Sequence, residues 1–276
     1  MNSPSQDHTS TIPIEDREFE QFQHLLFEQT GIYLAPAKKP LLTGRLNQRL
    51  RQLGIRSYAV YYRAIVQQQL PGEMQILIDR LTTNETSFFR EPKHFDFLRR
   101  LCQTLPQSPY AMRVWCAACS TGEEPYSAAM VMNDAMHDKR WEIVATDINS
   151  QVLQQARLGH YPLARSESIP KTYLQRYCLK GTGNQSETFI IGPELRTHIQ
   201  FRPINLITDL PALGQFDVIF LRNVLIYFPI EIKQRVIENL KRLLKTGGYF
   251  IVGHSESLLQ IVDGLESVAP SIYRRV

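Results

Sequence analysis

Glu123 and Glu124 close a turn of small residues, Ala118-Cys119-Ser120-Thr121-Gly122, and Pro125 follows them. Small residues let a ligand approach the backbone, and proline suits the first turn of a helix. The turn follows the apolar run Met112 to Ala117. It therefore falls where a nucleotide-binding α/β sheet takes its ligand, beyond the carboxyl ends of the strands. The dinucleotide fingerprint G-x-G-x-x-G is absent, and two carboxylates would repel a pyrophosphate. They suit a ligand with a cationic end, and S-adenosylmethionine has an ammonium, a sulfonium and no phosphate. Asp147 ends a second apolar run roughly 25 residues further on, where an acidic residue accepts hydrogen bonds from ribose hydroxyls. Its plainer role would be to cap a helix behind Ile148-Asn149-Ser150.

The elements that must hold these residues alternate in type. Met112 to Ala117 is predicted as a strand and Glu124 to Met136 as a helix. Trp141 to Thr146 is the next strand and Ser150 to Arg157 the next helix, capped by Asn149 or Ser150. Phe216 to Leu221 is a strand and Pro229 to Leu244 an amphipathic helix. Gly247-Gly248 then turns into a strand over Tyr249 to Gly253, and Ser271 to Arg275 is another. This alternation indicates an α/β fold with a mainly parallel, Rossmann-like sheet. Tyr177 to Gln200 breaks the rhythm with Gly181, Gly183, Gly192 and short extended runs, as a small β insert does.

The first part of the chain is helical instead. Phe19, Phe22, Leu25 and Leu26 form one stripe ending at Gly31, and Leu42, Leu46, Leu50 and Leu53 form a second ending at Gly54. Tyr58 to Gln69 and Glu73 to Leu81 are two more helices. The expected organisation is a disordered tail over 1–14, an all-α domain over 15–90, and the α/β domain over 91–276 with its insert at about 177–200. The composition of Met1 to Thr11 suits a tail, and the alternation of strands and helices begins after Pro106-Gln107-Ser108-Pro109.

A net charge of +4 favours acidic partners without forcing nucleic-acid binding, and no nucleic-acid partner is expected. Cys116 and Cys119 form a C-x-x-C with no second pair at finger spacing, so no metal is expected and both thiols are read as small apolar residues. Free thiols fit a reducing, cytoplasmic compartment. No apolar run reaches the ~20 residues of a membrane helix, and no long apolar stripe calls for a second copy, so a monomer is expected.

Four blocks of this sequence resemble the CheR family of chemotaxis receptor methyltransferases. They are Thr82-Thr83-Asn84-Glu85-Thr86-Ser87-Phe88-Phe89-Arg90-Glu91, then Val114-Trp115 with Ser120 to Ser127, then Phe216 to Phe228, and Gly253-His254-Ser255-Glu256-Ser257. They stand in family order and span nearly the whole chain. The resemblance implies transfer of a methyl group from S-adenosylmethionine to glutamate side chains of chemoreceptors, leaving S-adenosylhomocysteine. It assigns cofactor contacts to Asn84, Thr86, Arg90, Glu124, Asp147, Asn205, Leu206, Arg222 and Asn223. Glu124 would meet the ammonium, Asp147 the ribose, and Asn205-Leu206 the adenine edge. It implies that the helical domain meets the receptor's methylation helices, for which Arg45, Arg49 and Arg56, with Lys38 and Lys39, offer a basic surface; a solvated helix face is the plainer reading. In some members the insert grips a pentapeptide at the receptor's carboxyl terminus. Here Gly181 and Gly183 are present, but Glu187-Thr188 stands where a third glycine is expected.

The reaction sets what the chain must supply. A glutamate side chain, pKa about 4.3, is ionised at neutral pH and needs no general base. Arg90 and Tyr227 are the candidates for aiming it. Arg90 has the alternative of gripping the cofactor carboxylate, and Tyr227 of packing under the adenine. His254 is expected to line the pocket. The rival readings are a cofactor-binding module that acts by docking alone, and a methyltransferase for a small carboxylic acid.

Overall fold

The computed structural model describes residues 12–104, 110–136, 140–259 and 261–276. The tail over Met1 to Thr11 and the Pro106-Gln107-Ser108-Pro109 stretch lie outside them. The chain divides into two compact units, Met1–Thr82 and Thr83–Val276. Among the described residues, no helix is long and apolar enough to cross a membrane.

The first unit is built from α1 (Asp16–Thr30), α2 (Lys39–Gln52), α3 (Tyr58–Val66) and α4 (Glu73–Leu81). Both apolar stripes face inward: Phe19, Phe22, Leu25, Leu26, Leu42, Leu46 and Leu50 are all buried. Gly31, at φ 72°, ends α1 in the left-handed conformation that glycine adopts without strain. The third helix stops at Val66, three residues before the expected end.

Two of the three arginines proposed for docking do internal work here. Arg49 forks onto Glu73, Nε to Oε1 at 2.8 Å and Nη2 to Oε2 at 2.6 Å, and the Tyr61 hydroxyl donates to the same Oε1 at 2.7 Å. Burial raises the pKa of Glu73, but the hydrogen bonds from Arg49 and Tyr61 outweigh it and the carboxyl stays below its ordinary value. Arg45 donates to the carbonyls of Leu81 and Thr82, closing the end of α4. Arg56 is exposed. The basic helix face is therefore smaller than the sequence suggests, because Glu73 lies within reach of Arg49 from another helix.

The second unit opens with the segment from Thr83 to Glu91, of which the sequence reading places Thr83 to Arg90 with the helical domain. Phe88 is fully buried against Tyr161, ring centroids 5.0 Å apart, and the Phe89 amide donates to Ser127 Oγ at 2.9 Å. Then follow α5 (Lys93–Thr104), β1 (Met112–Cys116), α6 (Glu123–Met136), β2 (Trp141–Asp147), α7 (Ser150–Leu158), β3 (His160–Pro162), α8 (Lys171–Tyr177), β4 (Cys178–Lys180), β5 (Thr188–Ile191), α9 (Pro193–Arg196), β6 (Ile199–Pro203), β7 (Phe216–Leu221), α10 (Ile230–Leu243), β8 (Leu244–Val252), β9 (Leu265–Ala269) and β10 (Ile272–Arg275).

The main sheet runs β6-β2-β1-β7-β8-β10-β9. From β6 to β8 the pairings are parallel, and β10 is antiparallel to both its neighbours. From β1 the chain moves outward to β2 and β6, then returns to place β7 on the other side of β1. That reversal opens a crevice at the carboxyl ends of β1 and β7.

Three details depart from the sequence reading. The antiparallel insert, ordered β3-β5-β4, begins at His160 rather than Tyr177, and β6 belongs to the main sheet. β8 starts at Leu244 and passes through Gly247-Gly248 as a bulge: Phe216 faces Leu244, while Val218 faces Tyr249. Gly247 sits at φ 77°, and a Cβ on Gly248 would lie 3.0 Å from the Asp217 carbonyl, so both glycines serve the bulge. β9 was not read at all, its residues being largely exposed on an edge.

The Arg49–Glu73 pair makes a stability prediction. Arg49→Met strands a buried carboxylate and should cost about 3 kcal/mol, most of it regained on adding Glu73→Leu. Urea titration of the two variants checks this; a change under about 0.5 kcal/mol in the single variant would deny the pair a structural role.

Candidate active site

Four loops meet at the crevice. The turn after β1 is fixed from three sides. Ser120, at φ 48°, donates its amide to Asp147 Oδ2 at 2.8 Å and its hydroxyl to the Asn84 carbonyl at 2.8 Å. Gly122, at φ 98°, has no room for a side chain: a Cβ would stand 2.9 Å from the Tyr161 hydroxyl and 3.1 Å from Ala156 Cα. Tyr161 donates to the Thr121 carbonyl at 2.7 Å, so the insert's first strand braces the turn.

Asp147 is placed as expected, at the end of β2. Its Oδ1 accepts the Asn149 amide at 2.9 Å, and Asn149 Oδ1 in turn accepts the amides of Gln151 and Val152. The cap of α7 is therefore Asn149, and the Asp147 carboxylate is held in a fixed plane between the two loops. Asn205 lies beyond β6, next to β2, and the Ile204 amide donates to the Asp147 carbonyl at 3.1 Å. Asn205 Oδ1 accepts the Ile207 amide at 3.2 Å, an Asx turn, and Leu206 is buried.

The acidic pair splits into two roles. Glu123, 1% exposed, accepts from Thr121 Oγ1 at 2.6 Å and from Arg165 Nη1 at 3.0 Å. It is an internal anchor whose cationic partner is Arg165, where the sequence suggested a ligand for both glutamates. The same Arg165 nitrogen donates to the Thr86 carbonyl at 3.0 Å, tying the insert to the Thr83–Glu91 segment. Glu124, 7% exposed, accepts from Arg222 Nη1 at 2.8 Å through Oε2. Its Oε1 is buried with no geometric partner beyond the weak donor of the Cys116 thiol. Burial pushes the Glu124 pKa up, opposed by Arg222 and to a lesser degree by Cys116.

Arg222 is the hub of this cluster. Its Nη2 donates to Glu91 Oε2 at 2.9 Å and to the Arg90 carbonyl, and its guanidinium lies 5.7 Å from the Phe95 ring centre. Burial acts against its charge, and Glu124 and Glu91 more than restore it. Arg222 thus pairs with two protein carboxylates, while its Nε is buried with no hydrogen-bond partner. Glu91, Glu124 and Arg222 together carry one net negative charge.

His94 and His254 adjoin the cluster, rings edge to face at 5.0 Å. The His254 amide donates to Glu91 Oε1 at 3.1 Å. One ligand atom from each of Glu91, His94 and His254 lies within 4.8 Å of the others. His94 is 1% exposed and neither ring nitrogen makes a hydrogen bond; burial, then Arg222, lowers its pKa to about 4.

The remaining candidates differ in placement. Arg90 Nη1 donates to the Glu85 carbonyl at 3.0 Å, a bend that keeps the side chain beside its own segment. Asn223, at φ 57°, follows Arg222 in the loop after β7, and Tyr227 ends the short turn Leu225–Tyr227 behind it. That loop depends on a residue the sequence reading passed over within a block it quoted. Glu256 accepts the amides of Asn223, Leu225 and Gly253, each at 2.8 Å. Glu91 was missed in the same way, because a side chain's partners across the sheet leave no local trace.

A mainly parallel sheet with this switch point and a carboxylate at the end of β2 has the layout of a nucleoside-cofactor-binding α/β domain. The chain belongs to the CheR methyltransferase family: the model of its all-alpha domain matches residues 17–82, and that of its SAM binding domain residues 84–273. It is 40% identical to Chemotaxis protein methyltransferase 2 of Pseudomonas aeruginosa, over 93% of this chain and 92% of that one. It is 37% identical to the Chemotaxis protein methyltransferase of Escherichia coli, over 90% and 87%. Among solved structures, N-methyltransferase NodS of Bradyrhizobium japonicum with S-adenosyl-l-homocysteine covers 67% of this chain and 87% of that one, at 12% identity and a TM-score of 0.40, too low to add weight.

His94 makes the unit acid-sensitive. Its ordinary pKa is 6.5 and its value here about 4. Below 6.5 the unfolded chain takes up a proton that the folded chain refuses, so stability falls as pH drops, by ~2 kcal/mol between about pH 7 and pH 5. Denaturant titrations at both pH values should show that loss shrink in His94→Phe. An unchanged loss would place the acid sensitivity elsewhere.

Proposed function

We propose that this protein esterifies glutamate side chains of chemoreceptors in the cytoplasm, with S-adenosylmethionine as methyl donor and S-adenosylhomocysteine as product. The observation that carries the reading is Glu124 Oε1, a buried oxygen in need of a donor within a cluster of one net negative charge. A single ammonium meets both needs, so the residues present fit the cofactor. Bound there, S-adenosylmethionine supplies an electrophilic methyl group on a sulfonium.

The chain's own residues do the rest. Glu124 takes the ammonium, and Asp147, its plane set by two backbone amides, takes the ribose hydroxyls. Asn84, Thr86, Asn205, Leu206 and Asn223 border the remaining surface of the ligand. Arg90 and Tyr227 aim the incoming carboxylate, which is ionised at neutral pH and requires no base. Positioning of this kind lowers a barrier by about 7–11 kcal/mol. Neither His94 nor His254 is needed as a base.

Docking rests on a reduced surface. Arg56 and Lys38 are exposed and complement acidic receptor helices, whereas Arg49 and Arg45 act within the unit. In the insert, β4 is an edge strand to which a receptor's carboxyl-terminal pentapeptide would add as a further strand. The protein acts as a monomer in this reading.

The reading is tested by tritiated methyl transfer to chemoreceptor cytoplasmic fragments. Base-labile ester is expected; label in stable N-methyl groups, or none, would refute it. In calorimetry, Asp147→Ala should weaken S-adenosylhomocysteine binding about tenfold or more, ~1.4 kcal/mol. Binding should also weaken as pH falls, because the raised pKa of Glu124 leaves it protonated first and the ammonium then loses its partner. Glu124→Gln should remove that pH dependence, and a variant that kept it would assign the ammonium to another group.

A further inference from the structure

We infer that Glu256 is a positioning residue for methyl transfer, acting through the loop that carries Asn223 and Tyr227. The inference rests on the reading above, in which that loop faces the reacting groups. Glu256 lies after β8 and touches the loop after β7, so its carboxylate joins two of the segments that rim the crevice. Oε2 accepts the amides of Asn223 and Gly253, and Oε1 accepts that of Leu225, all at 2.8 Å. The side chain is 7% exposed, so water cannot replace these bonds.

The loop needs this restraint. Asn223 sits at φ 57°, left-handed backbone that asparagine adopts more readily than other non-glycine residues and that Glu256 holds through the Asn223 amide. Leu225 begins the turn that ends at Tyr227, and its amide is the one held by Oε1. Close packing completes the joint. A Cβ on Gly253 would stand 2.5 Å from Asn223 Nδ2 and 2.9 Å from Glu256 Oε2. Three donors that all point at one group require an acceptor on both of its ends. A carboxylate provides that; an amide does not, since its nitrogen would oppose an N–H in either orientation.

Two variants test the joint from opposite sides. Glu256→Gln keeps the shape and loses one acceptor. Gly253→Ala keeps the acceptors and forces Asn223 aside. For the full chain of each, methyl transfer to a chemoreceptor cytoplasmic fragment, S-adenosylhomocysteine affinity, and hydrogen–deuterium exchange over residues 222–228 are measured. Both variants should lose at least tenfold in kcat, while cofactor affinity falls by clearly less than kcat, because Asn223 is one of several residues that border the cofactor and Glu124 and Asp147 are untouched. Exchange should quicken over 222–228 and be unaltered in β1, β2 and α6. Quickened exchange with unchanged kcat would overturn the positioning role, and unaltered exchange would overturn the tether itself. Loss of cofactor affinity in step with kcat, with exchange quickened throughout the unit, would reduce Glu256 to a folding residue. An inactive wild type that still binds the cofactor would instead refute the methyl-transfer reading, and with it the role assigned to Glu256.

Discussion

The guanidinium of Arg222 sits between Glu124 and Glu91, away from water, and three parts of the second unit meet on it. One carboxylate comes from the start of α6, the other from the segment ahead of α5, and the arginine itself from the end of β7. Removing the arginine would leave two carboxylates without their cation, a loss on the order of several kcal/mol. The two ion pairs do more than hold loops together. They fix which oxygen of Glu124 is spoken for and leave the other, buried Oε1, without a strong donor.

Backbone strain gathers in the same place. Phe89, Glu91, Ser120 and Asn223 have positive φ without being glycine, a conformation that costs on the order of 1 kcal/mol or more for the first three and less for asparagine. Each is tied by bonds to another part of the unit. The Phe89 amide reaches Ser127, Glu91 reaches Arg222, the Ser120 amide reaches Asp147, and the Asn223 amide reaches Glu256. Packing and charge thus impose local conformations that the segments would not choose alone. A site that aims two reactants, rather than moving a proton, depends on such imposed geometry.

Periodicity and local chemistry carried much of this site. The small-residue turn, its acidic pair and Asp147 at the strand end were legible from local chemistry, whereas Arg222 and Asn223 entered through the family resemblance. What stayed hidden was pairing across the chain. Glu123 and Glu124 are neighbours with identical side chains, yet one meets Arg165 and the other Arg222, a distinction that depends on which way the first turn of α6 faces. Arg49 looked available because Glu73 is distant in sequence. The insert was placed too late because β3 is three residues long and ends in proline, too short to show alternation. Glu256 stood within a quoted block, but three backbone amides converging from two loops leave no mark on the residues around it.

The central claim, that Arg222 leaves Glu124 to hold an ammonium, is open to one direct measurement. Calorimetry would compare S-adenosylhomocysteine with its analogue lacking the amino group, on the wild type and on Glu124→Gln. The account predicts that the wild type prefers the natural ligand by about tenfold or more, ~1.4 kcal/mol, and that Glu124→Gln loses most of that preference. Equal discrimination by both proteins would contradict it.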